Sequence, residues 1–435
     1  MKIIIIGAGE GGLTAAYELA KNNHDVTIYE KAPRENLGYD WNDTISLSTF
    51  GDLGIPQPDL KYCVPKRDWV LIAPDSDAEV RIPQNPAIPD FRVQRRHLKD
   101  LLIGRAEEVG VKFLFRHTVD RLIFDGLSVK GAIVGSLPIF ADLVIDASGV
   151  FSPFRASLPR NAGFTAMPST KEVFYSYRAI CGVNEGEKLP EYFHCYVKCI
   201  GKIAIGWYIY DEMTGLSDVM FCMSERLSES EAQEAFAFIR KKNPILADNV
   251  VVNGKIIPIP VRYPASKFVL DGYALVGDSA FMTMPLMGSG IGPSMRAGKM
   301  LADTVNEKNS VTTESLWDYQ VKFFTEIGSK HVQIDIFKRW LLSVKEKDLK
   351  FLMESGIITE KDINAAAEAG AAPKISFYDI LQKIGIASRN IVLFSKLGKM
   401  LLIGKTAMDH AAAIPTKYNP KTAAAWSKKL DDFMI

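Results

Sequence analysis

The sequence predicts an α/β fold with three parts: a Rossmann-like dinucleotide-binding domain assembled from discontinuous segments, an antiparallel β-sheet domain, and a C-terminal helical region. Three observations predict it. A glycine-rich strand-to-helix turn opens the chain in IIIIGAGEGGLTAAYELA. A second glycine-rich turn follows an apolar strand in LVGDSAFMTMPLMGSGIGPSMRAG, residues 275–298. Between them lie strand-like runs dense in aromatic and β-branched residues, such as VFYSYRAICGV and KIAIGWYIY.

The first turn has the parts a dinucleotide requires. Ile3 to Ile6 form an apolar strand of the kind buried on both faces of a parallel sheet. Gly7, Gly9 and Gly12 follow in GxGxxG spacing. Gly7 permits the tight turn, Gly9 lets backbone approach a pyrophosphate, and Gly12 lets the helix pack close to the sheet. The helix runs from about Gly11 to Lys21 and turns its N-terminus toward the anion. A second strand, Val26 to Tyr29, ends in Glu30, an acid suited to ribose hydroxyls and unsuited to a 2′-phosphate. This turn alone does not separate FAD from NAD.

Next, FRVQRRHLKDLLIGRAEEVGVKFLF reads as a helix and a strand, with Arg95 and Arg96 at the helix entry. Either they are surface charges or Arg95 reaches the phosphate or ribityl part of a cofactor. FADLVIDASGVFSPFRASL is a strand with a sharp turn at Gly149, and Ser152 and Arg155 follow as polar groups toward the cofactor side. The runs from about 165 to 265 alternate as an antiparallel sheet. Asn253-Gly254 reads as its hairpin turn, and Ser228 with Glu231 reads as a capping box on a helix. Most of the sheet's aromatics belong to its core. Tyr177, Trp207, Tyr208 and Tyr210 are the candidates for an apolar tunnel. In the second glycine turn, Gly277-Asp278 breaks the strand and a helix opens at Gly290.

Composition narrows the function classes. The chain has 435 residues, enough for two or three domains. Lys and Arg total 52 against 51 Asp and Glu, so no net field attracts nucleic acid. The five cysteines show no CxxC spacing, and no metal site is expected from them or from the scattered histidines. Packing cysteines fit a reducing, cytoplasmic compartment. The apolar start is too short for a signal peptide and runs straight into a glycine turn. No apolar run reaches the roughly 18 residues of a membrane span.

The ordered set GAGEGG with Glu30, Arg95, DASGVFSPFR and VGDSAFMTMPLMGSGIG resembles the FAD-dependent oxidoreductases of the p-hydroxybenzoate hydroxylase fold. The resemblance implies one FAD held at both ends. Asp278 would then bond a ribityl hydroxyl, and Gly288, Gly290 and Ile291 would present backbone to the flavin ring. The helix opening at Gly290 would direct its positive end at the ring, stabilising an anionic reduced flavin. Within that fold the chain is most similar to the geranylgeranyl reductase family. GSGIGPSMRAGKMLA resembles its flavin helix, and the extension containing YQVKFFTEIGSKHVQIDIFKRWL resembles its C-terminal region.

The resemblance implies an FAD-binding domain of residues 1–50, 95–164 and 265–310. A substrate domain would take 51–94 and 165–264, with helices over 311–435. Three departures bear on the substrate. Ser148 stands where the family often has Asp or Thr. IAIGWYIYDEM keeps Trp207 of an aromatic motif but has Ile209 and Tyr210 where the family has Phe and Pro. The loop NLGYDWNDTISLS lacks a cysteine found in several relatives, with Asp43 near its place.

The expected function is reduction of isoprenoid or similar apolar C=C bonds by hydride from reduced flavin N5. The alternatives are a flavin monooxygenase of an aromatic or apolar small molecule, and an electron-transferring flavoprotein. Trp207, Tyr208 and Asp43 are the candidate catalytic-pocket residues, and the proton donor is Tyr208, Asp43 or water. NAD(P)H, ferredoxin and quinol all remain open as reductant. The apolar, lysine-bearing stretch 374–405 is either a pair of packed helices or, for a lipid substrate, a peripheral contact on the inner face of the membrane.

Overall fold

A computed structural model of the chain describes residues 1–76, 78–84, 89–165, 167–355 and 390–433. Its centre is a six-stranded sheet. Lys2–Ile6 lies in the middle, parallel to Asp25–Glu30 on one side and to Leu143–Asp146 on the other. Lys112–Phe115 extends the first side, and Tyr273–Leu275 with Val269–Leu270 the second. Ile3, Ile5, Leu143 and Ile145 are fully buried, as a sheet covered on both faces demands.

Two helices cover the business end of this sheet. Glu10–Lys21 follows the first glycine turn, and Ile291–Lys308 follows the second. They meet through glycine: a Cβ on Gly11 would stand 2.7 Å from the carbonyl oxygen of Ser294, and one on Gly298 would overlap the carbonyl oxygen of Gly11. The bare backbones bring both helix N-termini to one place.

The second large sheet has seven strands, in the order Leu246–Pro260, Val173–Val183, Leu216–Met223, Ile203–Asp211, Phe193–Ile200, Trp69–Ile72 and Glu79–Ile82. Both faces are covered. One packs Tyr196, Tyr208 and Phe221 against Phe236 and Ile239 of the helix Glu229–Lys242, whose capping box of Ser228 and Glu231 is formed as expected. The other gathers Phe174, Met220, Cys222 and Val261 with Ile205, Trp207 and Ile259. Asn253-Gly254 is not a hairpin turn: both residues lie inside the strand Leu246–Pro260. Gly254 is needed because the ring of Tyr177 fills the space a Cβ would take.

A small sheet, Asn42–Ser46, Asp90–Gln94 and Cys63–Pro65, bridges the two large ones. The helices Thr313–Phe323, Ser329–Ser343, Ile391–Ala412 and Pro420–Asp432 pack on the core. Of the stretch 374–405, residues 374–389 lie outside the described residues.

Candidate functional site

The first glycine turn forms as the spacing requires. Gly7 has φ +91°, and a Cβ there would stand 2.8 Å from the carbonyl oxygen of Ala147. Gly9 is the N-cap of the helix and supplies no side-chain cap, so the first helical N–H groups keep their donors for a ligand. Gly12 packs against Ala147 and Ile5. Glu30 is held ready at the end of its strand. Its two oxygens accept from the Ala8 and Ala32 amides, each at 2.8 Å, and retain lone pairs for hydroxyls.

Gly149 has φ +98° and turns the chain after Asp146. Asp146 is fully buried and accepts from Ser148, Ser152 and Tyr273. Ser152 and Arg155 do not line the cofactor side: both are buried. Arg155 donates to the carbonyls of Ser279 and Val150 and covers the Phe281 ring at 4.3 Å. Its work is to hold the Gly277–Ala280 turn in place.

In the second glycine turn, Asp278 accepts from Thr283 at 2.7 Å. Burial raises its carboxyl despite that bond. A Cβ on Gly290 would stand 3.4 Å from Asp278 Oδ1 and closer still to Thr283 Oγ1. Gly290 caps the helix Ile291–Lys308, again without a side-chain cap. Gly288, Gly290 and Ile291 are half-buried, as backbone facing a bound ring would be. Gly288 also abuts the antiparallel sheet, where a Cβ would stand 3.4 Å from Ile259.

Arg95 does stand between the turns, but it is not a free cation. Its Nη2 meets Glu10 at 2.7 Å and its Nη1 meets Asp43 at 2.6 Å, while Nε is buried without a partner. Lys99, also buried, meets Glu10 at 3.1 Å and the Ala8 carbonyl at 2.7 Å. Burial alone would raise the Glu10 carboxyl, but Lys99 and Arg95 hold it well below the usual range. Burial likewise opposes ionisation of Asp43, yet Arg178 and Arg95 bring it down to about 2. A carboxylate so held does not donate a proton at neutral pH, which removes Asp43 as the acid.

Trp207 and Tyr208 are neighbours on one strand and therefore face opposite sides. Trp207 lies on the face turned toward Gly288, beside Met220 and Ile259. Tyr208 lies on the other face, fully buried, sharing a hydrogen bond with Ser217 at 3.2 Å. Burial pushes its hydroxyl up to about 12. Tyr177 and Tyr210 pack with Tyr208 on that far side, so of the four tunnel candidates only Trp207 lies on the face turned toward Gly288. Reasoning from the sequence missed Glu10, Lys99 and Arg178. A signal was present in the acid within GAGEGG and in an arginine within the apolar run VFYSYRAICGV. Among the described residues, no group of acids, histidines and cysteines could hold a metal.

The residues fit a dinucleotide carrying a ring system at one end. Two helix N-termini without side-chain caps, a carboxylate fixed at the end of its strand by two amides, and a buried Arg95 Nε without a partner lie along the two glycine turns. Comparison with known proteins agrees with this class. Residues 5–43 match the NAD(P)-binding Rossmann-like domain family. A halogenase solved in complex with FAD shares the fold with a TM-score of 0.63 at 13% identity, covering all of this chain and 95% of that one. The fold is one that FAD-dependent enzymes adopt.

Within that fold the chain is similar to proteins named as geranylgeranyl reductases. A digeranylgeranylglycerophospholipid reductase of Sulfolobus acidocaldarius is 23% identical over 99% of this chain and 97% of its own length. A geranylgeranyl bacteriochlorophyll reductase-like structure from Thermoplasma acidophilum superposes with a TM-score of 0.71 at 18% identity, covering 92% of this chain and 98% of that one.

Proposed function

We propose that this protein uses FAD to reduce carbon–carbon double bonds of an isoprenoid or similar apolar compound. One observation carries the reading. The sheet face turned toward Gly288 is apolar, with Phe174, Ile205, Trp207, Met220 and Ile259, and the charges at its end are paired with one another. Such a wall has no counter-charge to spare for an acid or phosphate at the reacting end of a substrate, whereas a neutral chain loses nothing by entering.

When bound and reduced, FAD supplies the hydride. The chain's own residues would do the rest. Gly7, Gly9, Gly12 and Glu30 anchor the adenosine diphosphate end. Asp278 takes a ribityl hydroxyl, and the helix start at Gly290 favours negative charge on the ring edge beside it. Trp207 and its apolar neighbours orient the alkene and exclude water from it. With Asp43 locked as a carboxylate and Tyr208 on the far face, water remains as the proton source.

The long helix Ile391–Ala412 exposes Ile391, Val392 and Leu402 along with Lys396 and Lys399. That surface suits peripheral contact with an anionic bilayer that stores such a substrate. None of the described helices is long and apolar enough to cross a membrane.

The test is anaerobic. Dithionite-reduced protein mixed with a geranylgeranyl lipid should return to the oxidised flavin spectrum, and the product should gain two mass units per double bond. Reduced flavin that ignores prenyl compounds, yet with oxygen hydroxylates an aromatic substrate, would replace this reading with the monooxygenase one.

A further inference from the structure

Buried and half-buried ion pairs run without a gap from the first glycine turn into the antiparallel sheet. Lys99 meets Glu10 at 3.1 Å, Glu10 meets Arg95 at 2.7 Å, and Arg95 meets Asp43 at 2.6 Å. Asp43 meets Arg178 at 2.6 Å and Arg178 meets Asp218 at 2.6 Å. Arg92 then joins Asp218 and Asp211, each at 3.2 Å. The signs alternate throughout. Buried pairs of this kind seldom add stability over apolar side chains of the same size, so a long run of them calls for another role.

Arg178 is the one member of this run clasped by aromatic rings on two sides. Its guanidinium carbon lies 4.9 Å from the Trp41 ring and 5.4 Å from the Trp207 ring. Its plane is fixed by bonds to Asp218 through Nε and Nη2, to the Asn42 carbonyl through Nη2, and to Asp43 through Nη1. Trp207 has no such anchor of its own, because its indole N–H is buried without a partner. It is held by contacts without a hydrogen bond: apolar packing beside Met220 and Ile259, the Arg178 guanidinium over its ring, and Trp69 edge-on at 5.7 Å. The same Trp41 stacks on Tyr39 at 4.4 Å, and Tyr39 lies beneath Arg95 at 5.3 Å. Charge and aromatic contacts thus both lead from the cofactor turn, through Arg178, to Trp207.

We propose that Arg178 is a positioning residue that sets the plane of Trp207 against the cofactor turn and so places the substrate. The placing of substrate rests on the reductase reading above; the setting of Trp207 does not. A lysine would keep the charge but lose the planar fork and the stack.

The experiment uses the full-length, FAD-loaded protein in three forms, wild type, Arg178→Lys and Arg178→Met/Asp218→Asn, each also made with Trp207→Phe. The double variant restores charge balance after the arginine is removed. The near-ultraviolet circular dichroism difference between each form and its Trp207→Phe partner isolates the signal of Trp207. In Arg178→Lys and in the double variant that signal should fall to less than about half, with melting and FAD affinity close to wild type. Reduction of a prenyl lipid should slow roughly tenfold or more in kcat, in line with misplaced reactants. A double variant with the wild-type signal and rate would overturn the proposal and leave Arg178 a simple counter-charge, as would Arg178→Lys with both intact. A collapsed signal in variants of a protein that reduces no prenyl lipid even as wild type would uphold the setting of Trp207 and refute the reductase reading instead.

Discussion

The two large sheets build their halves of the site by different means. The parallel sheet works through backbone. Its glycines clear space, its helix starts offer N–H groups, and Glu30 is the main side chain in play. The antiparallel sheet works through side chains drawn from several strands, where Arg178 and Trp207 both flank Met220 in register. Backbone sites tolerate little substitution because any side chain obstructs them. Side-chain sites degrade by steps, according to how many partners each residue has.

Four substitutions or conditions put that contrast to work. The largest effect belongs to Gly9→Val. The branched side chain would occupy the pyrophosphate approach, within 3.3 Å of the Ala147 carbonyl for its Cβ alone. The protein should fold and purify colourless, and near-normal FAD content would show that the contrast is misplaced. Asp278→Ala comes next, because a buried ribityl hydroxyl would lose its acceptor; isothermal titration should find FAD binding weakened by about 1–3 kcal/mol. Trp207→Ala should then sharpen the comparison from the other side. It should slow alkene reduction roughly tenfold while leaving FAD affinity within about threefold, since the residue belongs to the sheet proposed to hold substrate.

The last condition is acid, and it is read in stability instead of in binding or rate. The Asp43 carboxyl has its ordinary value of 3.8 when unfolded and about 2 when folded between its two arginines. A depressed folded value contributes stability that is complete above the unfolded value and is lost as pH falls through the folded one. Urea melts at pH 6 and near pH 2 should therefore show a loss on the order of 2 kcal/mol from this group. Asp43→Asn should lack that portion of the acid sensitivity; an unchanged acid limb would mean the ion pairs do not bridge the sheets in solution.

The same contrast explains what the sequence disclosed. The glycine turns are local, so Gly7, Gly9, Gly12, Gly277 and Gly290 declare themselves within a few residues of one another. The ion-pair run is not local. Arg95 reaches Glu10 across 85 positions and Asp43 reaches Arg178 across 135, and no pattern in either segment specifies the other. Tyr208 was hard to place for a further reason. Period-two alternation shows that it opposes Trp207, but with both faces of the sheet covered, burial pattern does not say which face meets the cofactor. Asn253-Gly254 carries a hairpin signature that was overridden by packing, the glycine being required by Tyr177 lying across it.

The strand Leu246–Pro260 ends the seven-stranded sheet, and its fifteen residues leave a long outer margin. Val250, Val251 and Ile256 are exposed along it. Such a margin is a template for strand addition by another chain. Pro258 and Pro260, which have no amide hydrogen to offer, and the charge of Lys255 guard the later part, and the exposed Asp248 stands near the start. In a crowded or overexpressing cell this margin is therefore the weak point of the protein, and the same strand carries Ile259 against Gly288, so a change made to guard the margin has to leave that end of the strand in place.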